Sequence, residues 1–196
     1  MDETGGRATR DGATAEEARV GTATPVTIEL LLASPASRYV GRPADDPVAA
    51  AGPELHESIE LRAGLGIVGD RYFNRPAHRG ASVTVFAGES LDAVARLLGV
   101  SGLDPAATRR NIVLRGYDVD ALRGREFMLD SGDGPVRFRA NRPANPCAWM
   151  DEVLAPGAFR ALRGRGGMRC TPLTDGLLRL GAAVLELLPD RSAAAA

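Results

Sequence analysis

Residues 112–140 read IVLRGYDVDALRGREFMLDSGDGPVRFRA. Within them Ile112 to Leu114, Glu126 to Leu129 and Val136 to Ala140 are short runs of β-formers separated by turns rich in Gly and Asp. Such close spacing of short strands leaves no room for a full crossover helix between each pair. The same texture extends outward. Val26 to Leu32 is a continuous apolar run that reads as a buried strand, and Ile59 to Arg62 and Ile67 to Arg71 flank the Gly64-Leu65-Gly66 turn. Val83 to Phe86 leads into Glu89 to Leu98, whose Leu91, Val94, Ala95 and Leu98 spacing is helical and ends at Gly99. Met150 to Leu162 reads as a helix broken at Pro156-Gly157, and Arg169 to Leu173 and Ala183 to Leu188 close the chain as strands. Many short strands with about two helices predict a mostly-β chain, a closed or partly closed β-barrel with a few peripheral helices, rather than a doubly wound sheet.

The 196 residues, 44% apolar with a formal net charge of -1, fit one soluble globular domain. Residues 1–24 lack periodicity and read as a disordered tail, 25–189 as the barrel domain, and 190–196 as a second loose end. The charge balance gives no case for nucleic acid as a partner. Met1-Asp2-Glu3 is not the basic start of a secretory signal, and no apolar stretch reaches the roughly 18 residues of a membrane span, so no membrane association is expected. Two cysteines are too few for a disulfide framework and fit a reducing compartment, the cytoplasm by default. Every basic side chain except the two histidines is Arg, with no Lys at all. Arg suits bidentate anion recognition; a GC-rich coding sequence produces the same bias.

Cys147 follows Asn145-Pro146. Asn is a good N-cap and Pro is favoured at the first helical position, which predicts Cys147 in a first helical turn, where free N–H groups stabilise a thiolate. Such a thiolate attacks persulfides, carries sulfur or ligates a soft metal; the alternative is a small buried apolar residue. Asp151, four residues on, opposes a thiolate if it shares that face. Cys170 falls on the same strand face as Met168 and reads as a core residue. No CxxC and no Cys/His set at zinc spacing is present. Several further positions have two readings. Asn111 and Asp70 are site residues or turn residues, and Arg109 is a site residue or a solvated charge. His78, in a polar loop, lines a site or faces solvent. The run Arg163-Gly164-Arg165-Gly166-Gly167-Met168-Arg169 is an anion cradle, with Arg165 and Arg169 as contacts, or a flexible loop; it lacks the Lys-Ser/Thr ending of a phosphate-binding P-loop.

Taken in order, Gly64-Leu65-Gly66-Ile67-Val68-Gly69-Asp70-Arg71, Arg109-Arg110-Asn111-Ile112-Val113, Leu122-Arg123-Gly124 and Pro146-Cys147 resemble the MOSC domain over roughly residues 26–188. That module forms the C-terminus of molybdenum cofactor sulfurases and occurs in amidoxime-reducing components and small stand-alone bacterial proteins. The resemblance implies a MOSC-type (pyruvate-kinase-like) β-barrel and a functional cysteine at Cys147, which carries sulfur in some members and ligates molybdenum in others. It implies that Arg109 and Asn111 lie near a molybdenum cofactor (molybdopterin), and that Asp70 and Arg71 match a Gly-Asp-Arg element. The resemblance makes Cys147 and Asp70 candidate catalytic residues, and His78 joins them on its place in a polar loop. Arg109, Asn111, Arg71, Arg165 and Arg169 are candidate cofactor contacts, and Cys147 is the candidate metal ligand. The expected function is sulfur handling through a cysteine persulfide, with or without molybdenum cofactor binding. The alternatives are a small molybdenum-dependent reductase of N-hydroxylated compounds and a non-catalytic pterin- or anion-binding barrel. Without Lys the chain cannot form a pyridoxal-phosphate Schiff base, so sulfur would come from a donor such as a cysteine desulfurase, and electrons, for a reductase, from a separate partner. The substrate is expected to be a small molecule.

Overall fold

The computed structural model describes residues 22–189. In chain order the strands are β1 (Ala23–Leu31), β2 (Ser58–Arg62), β3 (Gly66–Ile67), β4 (Val83–Ala87), β5 (Ile112–Arg115), β6 (Glu126–Asp130), β7 (Val136–Pro143), β8 (Met168–Pro172), β9 (Gly176–Arg179) and β10 (Gly181–Leu187). The helices are α1 (Gly88–Leu98), α2 (Trp149–Val153) and α3 (Ala158–Ala161). Seven strands close into a barrel in the order β1-β10-β6-β7-β8-β4-β5, with β5 returning to β1, and β3-β2-β9 form a small second sheet. The mostly-β barrel with peripheral helices is therefore the observed fold.

The barrel is antiparallel except at β4 and β5, which α1 connects in parallel. That pair explains why Val83–Ala87 is apolar without alternation. Val83, Val85 and Ala87 face the barrel interior, while Phe86 faces a second core beneath α1, α2 and α3. In β1 the register shifts between Ile28 and Leu30. Val26 and Ile28 point inward before this bulge and Leu31 after it, so Leu30 and Leu32 are delivered to the outer core. Gly99 ends α1 in the left-handed conformation at φ 67°, as a C-terminal glycine does.

Three boundaries and one strand differ from expectation. Ala23 and Thr24, expected in the tail, belong to β1 and pair with Glu186 and Leu185 of β10; residues 1–21 and 190–196 lie outside the described residues. The strand expected over Ile67 to Arg71 stops at Ile67, where the chain turns on Gly69 (φ 82°) and Asp70. Strand β9, unforeseen, pairs only with β2, far away in sequence. The helix expected to open at Pro146 begins at Trp149.

Candidate functional site

The candidate polar residues sit on the outer face of the barrel wall, where β4 meets β5. Thr84 points away from the interior, and its N–H and hydroxyl donate to Asn111 Oδ1 at 2.9 and 2.8 Å. Asn111 N–H returns a bond to Thr84 Oγ1 at 2.9 Å. Asn111 Nδ2 donates to the Leu32 carbonyl at 3.0 Å and to Asp70 Oδ2 at 3.2 Å. Asp70 also accepts from the backbone N–H groups of Ser34 (3.2 Å) and Tyr72 (2.9 Å). Ser34 Oγ donates to Glu54, which grips Arg109 through two bonds of 2.7 and 2.8 Å. Asp70 and Asn111 are each 5% exposed, so this chain of contacts is internal. It joins the barrel wall to the 68–74 turn and to the long connection over residues 33–57. All the polar atoms of Asn111 and both Asp70 oxygens are already engaged, which makes these residues a frame rather than free reactive groups.

Arg109, expected as a cofactor contact, spends its guanidinium on Glu54; their side chains are 8% and 10% exposed. It adopts φ 57°, and its N–H closes the preceding turn on Ala106 O at 3.0 Å. Burial pushes the Glu54 carboxyl up. Hydrogen bonds from Arg109 and Ser34, with the charges of Arg109 and Arg38, outweigh this and hold it below its ordinary 4.5. Arg109, Glu54, Arg38 and Tyr39 line a cleft of about 570 Å³ under the 33–57 connection.

Cys147 is exposed and lies in the loop between β7 and α2. The expected Asn145 cap is absent: Ala148 is the N-cap residue and makes no side-chain cap. Instead the Cys147 carbonyl accepts from Met150 N–H at 3.0 Å, one step outside the helix. Tertiary packing sets this register. Trp149 and Met150 must enter the outer core, where Trp149 stacks on Tyr39 with ring centroids 5.1 Å apart. Asp151 turns away to accept from Phe159 N–H at 2.7 Å.

Two residues without an assigned role in the sequence, Tyr39 and, inside the Arg109–Asn111 element, Arg110, lie near Cys147. Tyr39 donates its hydroxyl to the Ala107 carbonyl; burial, partly opposed by Arg109 and Arg38 and reinforced by Cys147 and Asp104, pushes its pKa up to about 12. Arg110 donates from Nε to Gly166 O at 3.0 Å and from Nη2 to Ala144 O at 2.7 Å, bracketing the Cys147 loop. Burial first, then the Arg169 charge, lowers Arg110 to about 10, with Cys147, Asp120 and Tyr39 opposing. The motif itself flagged Arg110, standing between Arg109 and Asn111; nothing in the sequence marks Tyr39.

Arg169, on β8 opposite Thr84, faces this same group. Arg165 does not: it is exposed beside Glu89, Tyr117 and Asp118 at the start of α1. The Gly166-Gly167 pair lets three backbone segments pack closely. A Cβ on Gly166 would stand 2.3 Å from Ala144 O, one on Gly167 2.2 Å from Val85 O, and Gly167 O accepts from Ala144 N–H at 2.7 Å. Arg71 lies over the Tyr72 ring at 4.5 Å, and Tyr72 packs on His78 at 4.4 Å, beside the Asp70 turn. Among the described residues no contact links His78 to Cys147.

Cys170 is fully buried in the barrel, and burial pushes its thiol pKa far up. Iodoacetamide is therefore expected to modify Cys147 in the folded protein and to reach Cys170 only on unfolding, read by peptide mass spectrometry. Comparable labelling of both would contradict this placement.

Among the described residues no group of three or more His, Cys, Asp or Glu could hold a metal ion, and no helix is long and apolar enough to cross a membrane.

The sequence profile of the MOSC domain matches residues 74–185. This chain belongs to the MOSC family. The match takes in the Arg109–Val113, Leu122–Gly124 and Pro146-Cys147 elements and leaves the Gly64–Arg71 element outside it. Among solved structures the MOSC fold here is similar to the YuaD protein from Bacillus subtilis, with a TM-score of 0.67 at 16% identity over 87% of this chain and 100% of that one. It is also similar to YiiM from Escherichia coli, with a TM-score of 0.53 at 15% identity over 84% of this chain and 70% of that one. At such identities the likeness speaks for the fold alone. No curated protein matches the sequence.

Proposed function

We propose that this MOSC domain handles sulfur through Cys147, as a persulfide carrier or sulfur transferase acting with a separate sulfur donor in the cytoplasm. The observation that carries this reading is the contrast between its two thiols. Cys147 is exposed on a loop bracketed by a guanidinium, whereas Cys170 is sealed in the core. In the reaction the Cys147 thiolate attacks the outer sulfur of a donor persulfide. A Cys147–sulfur bond forms as the donor's S–S bond breaks, and the donor leaves as its thiolate with the electron pair. No outside oxidant or reductant enters.

A second reading, a molybdenum-cofactor-dependent reductase of N-hydroxylated small molecules, draws on the donor set. Bare metal has no cage among the described residues, but a metal held within an organic cofactor asks the protein for few ligands, and one exposed thiol is at hand. The cofactor would supply redox chemistry; Cys147 would hold its metal, and Arg169 and Arg110 would face its phosphate. An electron-transfer partner is then required. Asp70 and Asn111 would act by holding the floor, Arg109 by tethering the 33–57 connection, and Arg71 and His78 would flank the Asp70 turn.

Elemental analysis of protein made in a cofactor-competent host separates the two. Metal-free protein with about one labile sulfur per chain supports sulfur transfer, and stoichiometric molybdenum supports the second reading. Protein carrying neither, even after incubation with a persulfide donor, would leave both unsupported and favour a non-catalytic barrel.

A further inference from the structure

We propose that Arg110 is the positioning residue for Cys147, and that its unneutralised charge selects a negatively charged reaction partner for that thiol. The inference rests on Cys147 being the reacting group. Arg110 stands where three backbone segments meet. Nε takes Gly166 O, and Nη2 takes Ala144 O and, at 3.4 Å, Asn145 O, the carbonyl two residues before Cys147. Only a glycine at 166 lets these segments approach, since a Cβ there would meet Ala144 O at 2.3 Å.

Arg110 is half-buried, with its Nη2 bond to Asn145 O at the surface, and among the described residues it makes no salt bridge. Carbonyl dipoles satisfy its hydrogen bonds without cancelling its charge, so the charge stays available to an anion arriving at the loop. The charged and titratable groups near it are Arg169, Cys147, Asp120 and Tyr39. Tyr39 stays protonated at neutral pH, because its pKa is pushed up to about 12. Asp120 is shared among Gly167 N–H, Arg165 and Arg110, so it offsets only part of the positive charge. Arg169 adds a second positive charge. A reagent reaching Cys147 therefore meets a net positive field, which favours anionic electrophiles over neutral ones of the same size.

The test compares iodoacetate, an anion, with iodoacetamide, its neutral counterpart, on the full chain at one pH and salt concentration. Cys147 modification is read by peptide mass spectrometry. The iodoacetate-to-iodoacetamide rate ratio is expected to exceed that of the same chain unfolded in urea, and to fall roughly 3- to 10-fold in Arg110→Met, the size of one charge near a thiol. Arg110→Lys, which keeps the charge, should retain most of it. A merely structural role would loosen the loop and change both rates by the same factor, leaving the ratio alone. A wild-type ratio equal to that of the unfolded chain overturns the proposal even if Arg110→Met fails to fold. So does an unchanged ratio in Arg110→Met, or an equal fall in Arg110→Lys. Failure of sulfur or metal handling by Cys147 would show instead in elemental analysis, with the ratio intact.

Discussion

Asn111→Ala is expected to destabilise the protein by roughly 3–5 kcal/mol in urea unfolding, far above the centre of the single-substitution range. The asparagine joins Thr84, Leu32 and Asp70 through both ends of its amide while 5% exposed. Alanine strands the Thr84 N–H and the Leu32 carbonyl away from water, and Asp70 loses one donor to a buried carboxylate. Each stranded group costs about 1–3 kcal/mol, and the costs of neighbours do not add fully. Asn111→Asp keeps the acceptor for Thr84 but sets a carboxylate against Asp70. It should therefore destabilise more at neutral pH than at pH 4. A loss below about 1 kcal/mol in Asn111→Ala would mean that the frame is not what holds the 68–74 turn to the barrel wall.

Glu54→Ala should cost a comparable ~3–5 kcal/mol, because it leaves Arg109 buried without its counter-charge. The pair is bidentate, and neither side chain exceeds 10% exposure. Replacing both partners, Glu54→Ala with Arg109→Met, should recover part of the loss, since the cost lies in the unpaired charge. The pH dependence has a definite sign. The folded-state pKa of Glu54 is lowered below 4.5, so the stability it contributes is complete above that value and is lost as pH falls through the lowered pKa. Urea unfolding across the acid range should show Glu54→Ala with a shallower acid decline than wild type. Parallel declines would contradict the assignment.

The strand content was legible because short β-forming runs set off by Gly and Asp admit few other readings. Phe127, Leu129, Val136 and Phe138 all point into the barrel as those runs require. Strand β9 was not legible, for Gly176–Arg179 has meaning only against β2, more than a hundred residues earlier. The helix start at Cys147 was misread for a related reason. Asn145-Pro146 carries good local capping chemistry, but Trp149 stacked on Tyr39, and Arg110 drawing on Ala144 O, fix the backbone differently. In the site, order along the chain pointed to Asp70, Arg109 and Asn111, and the first and last are hydrogen-bonded to one another. What the sequence concealed is how those groups are spent. Glu54, from an irregular connection with no periodicity, occupies Arg109, and the neighbouring Arg110 is the guanidinium that reaches the Cys147 loop.

The most direct test of the central claim is Cys147→Ser, made beside wild type in a cofactor-competent host and assayed for labile sulfur, molybdenum and unfolding midpoint. Cys147 is exposed and fills no core position, so the midpoint should not move. Sulfur or molybdenum present in wild type should be absent from the variant. A serine protein that retains the full wild-type load at the same stability would contradict the account, and Cys147 would then be no more than a surface residue of the loop.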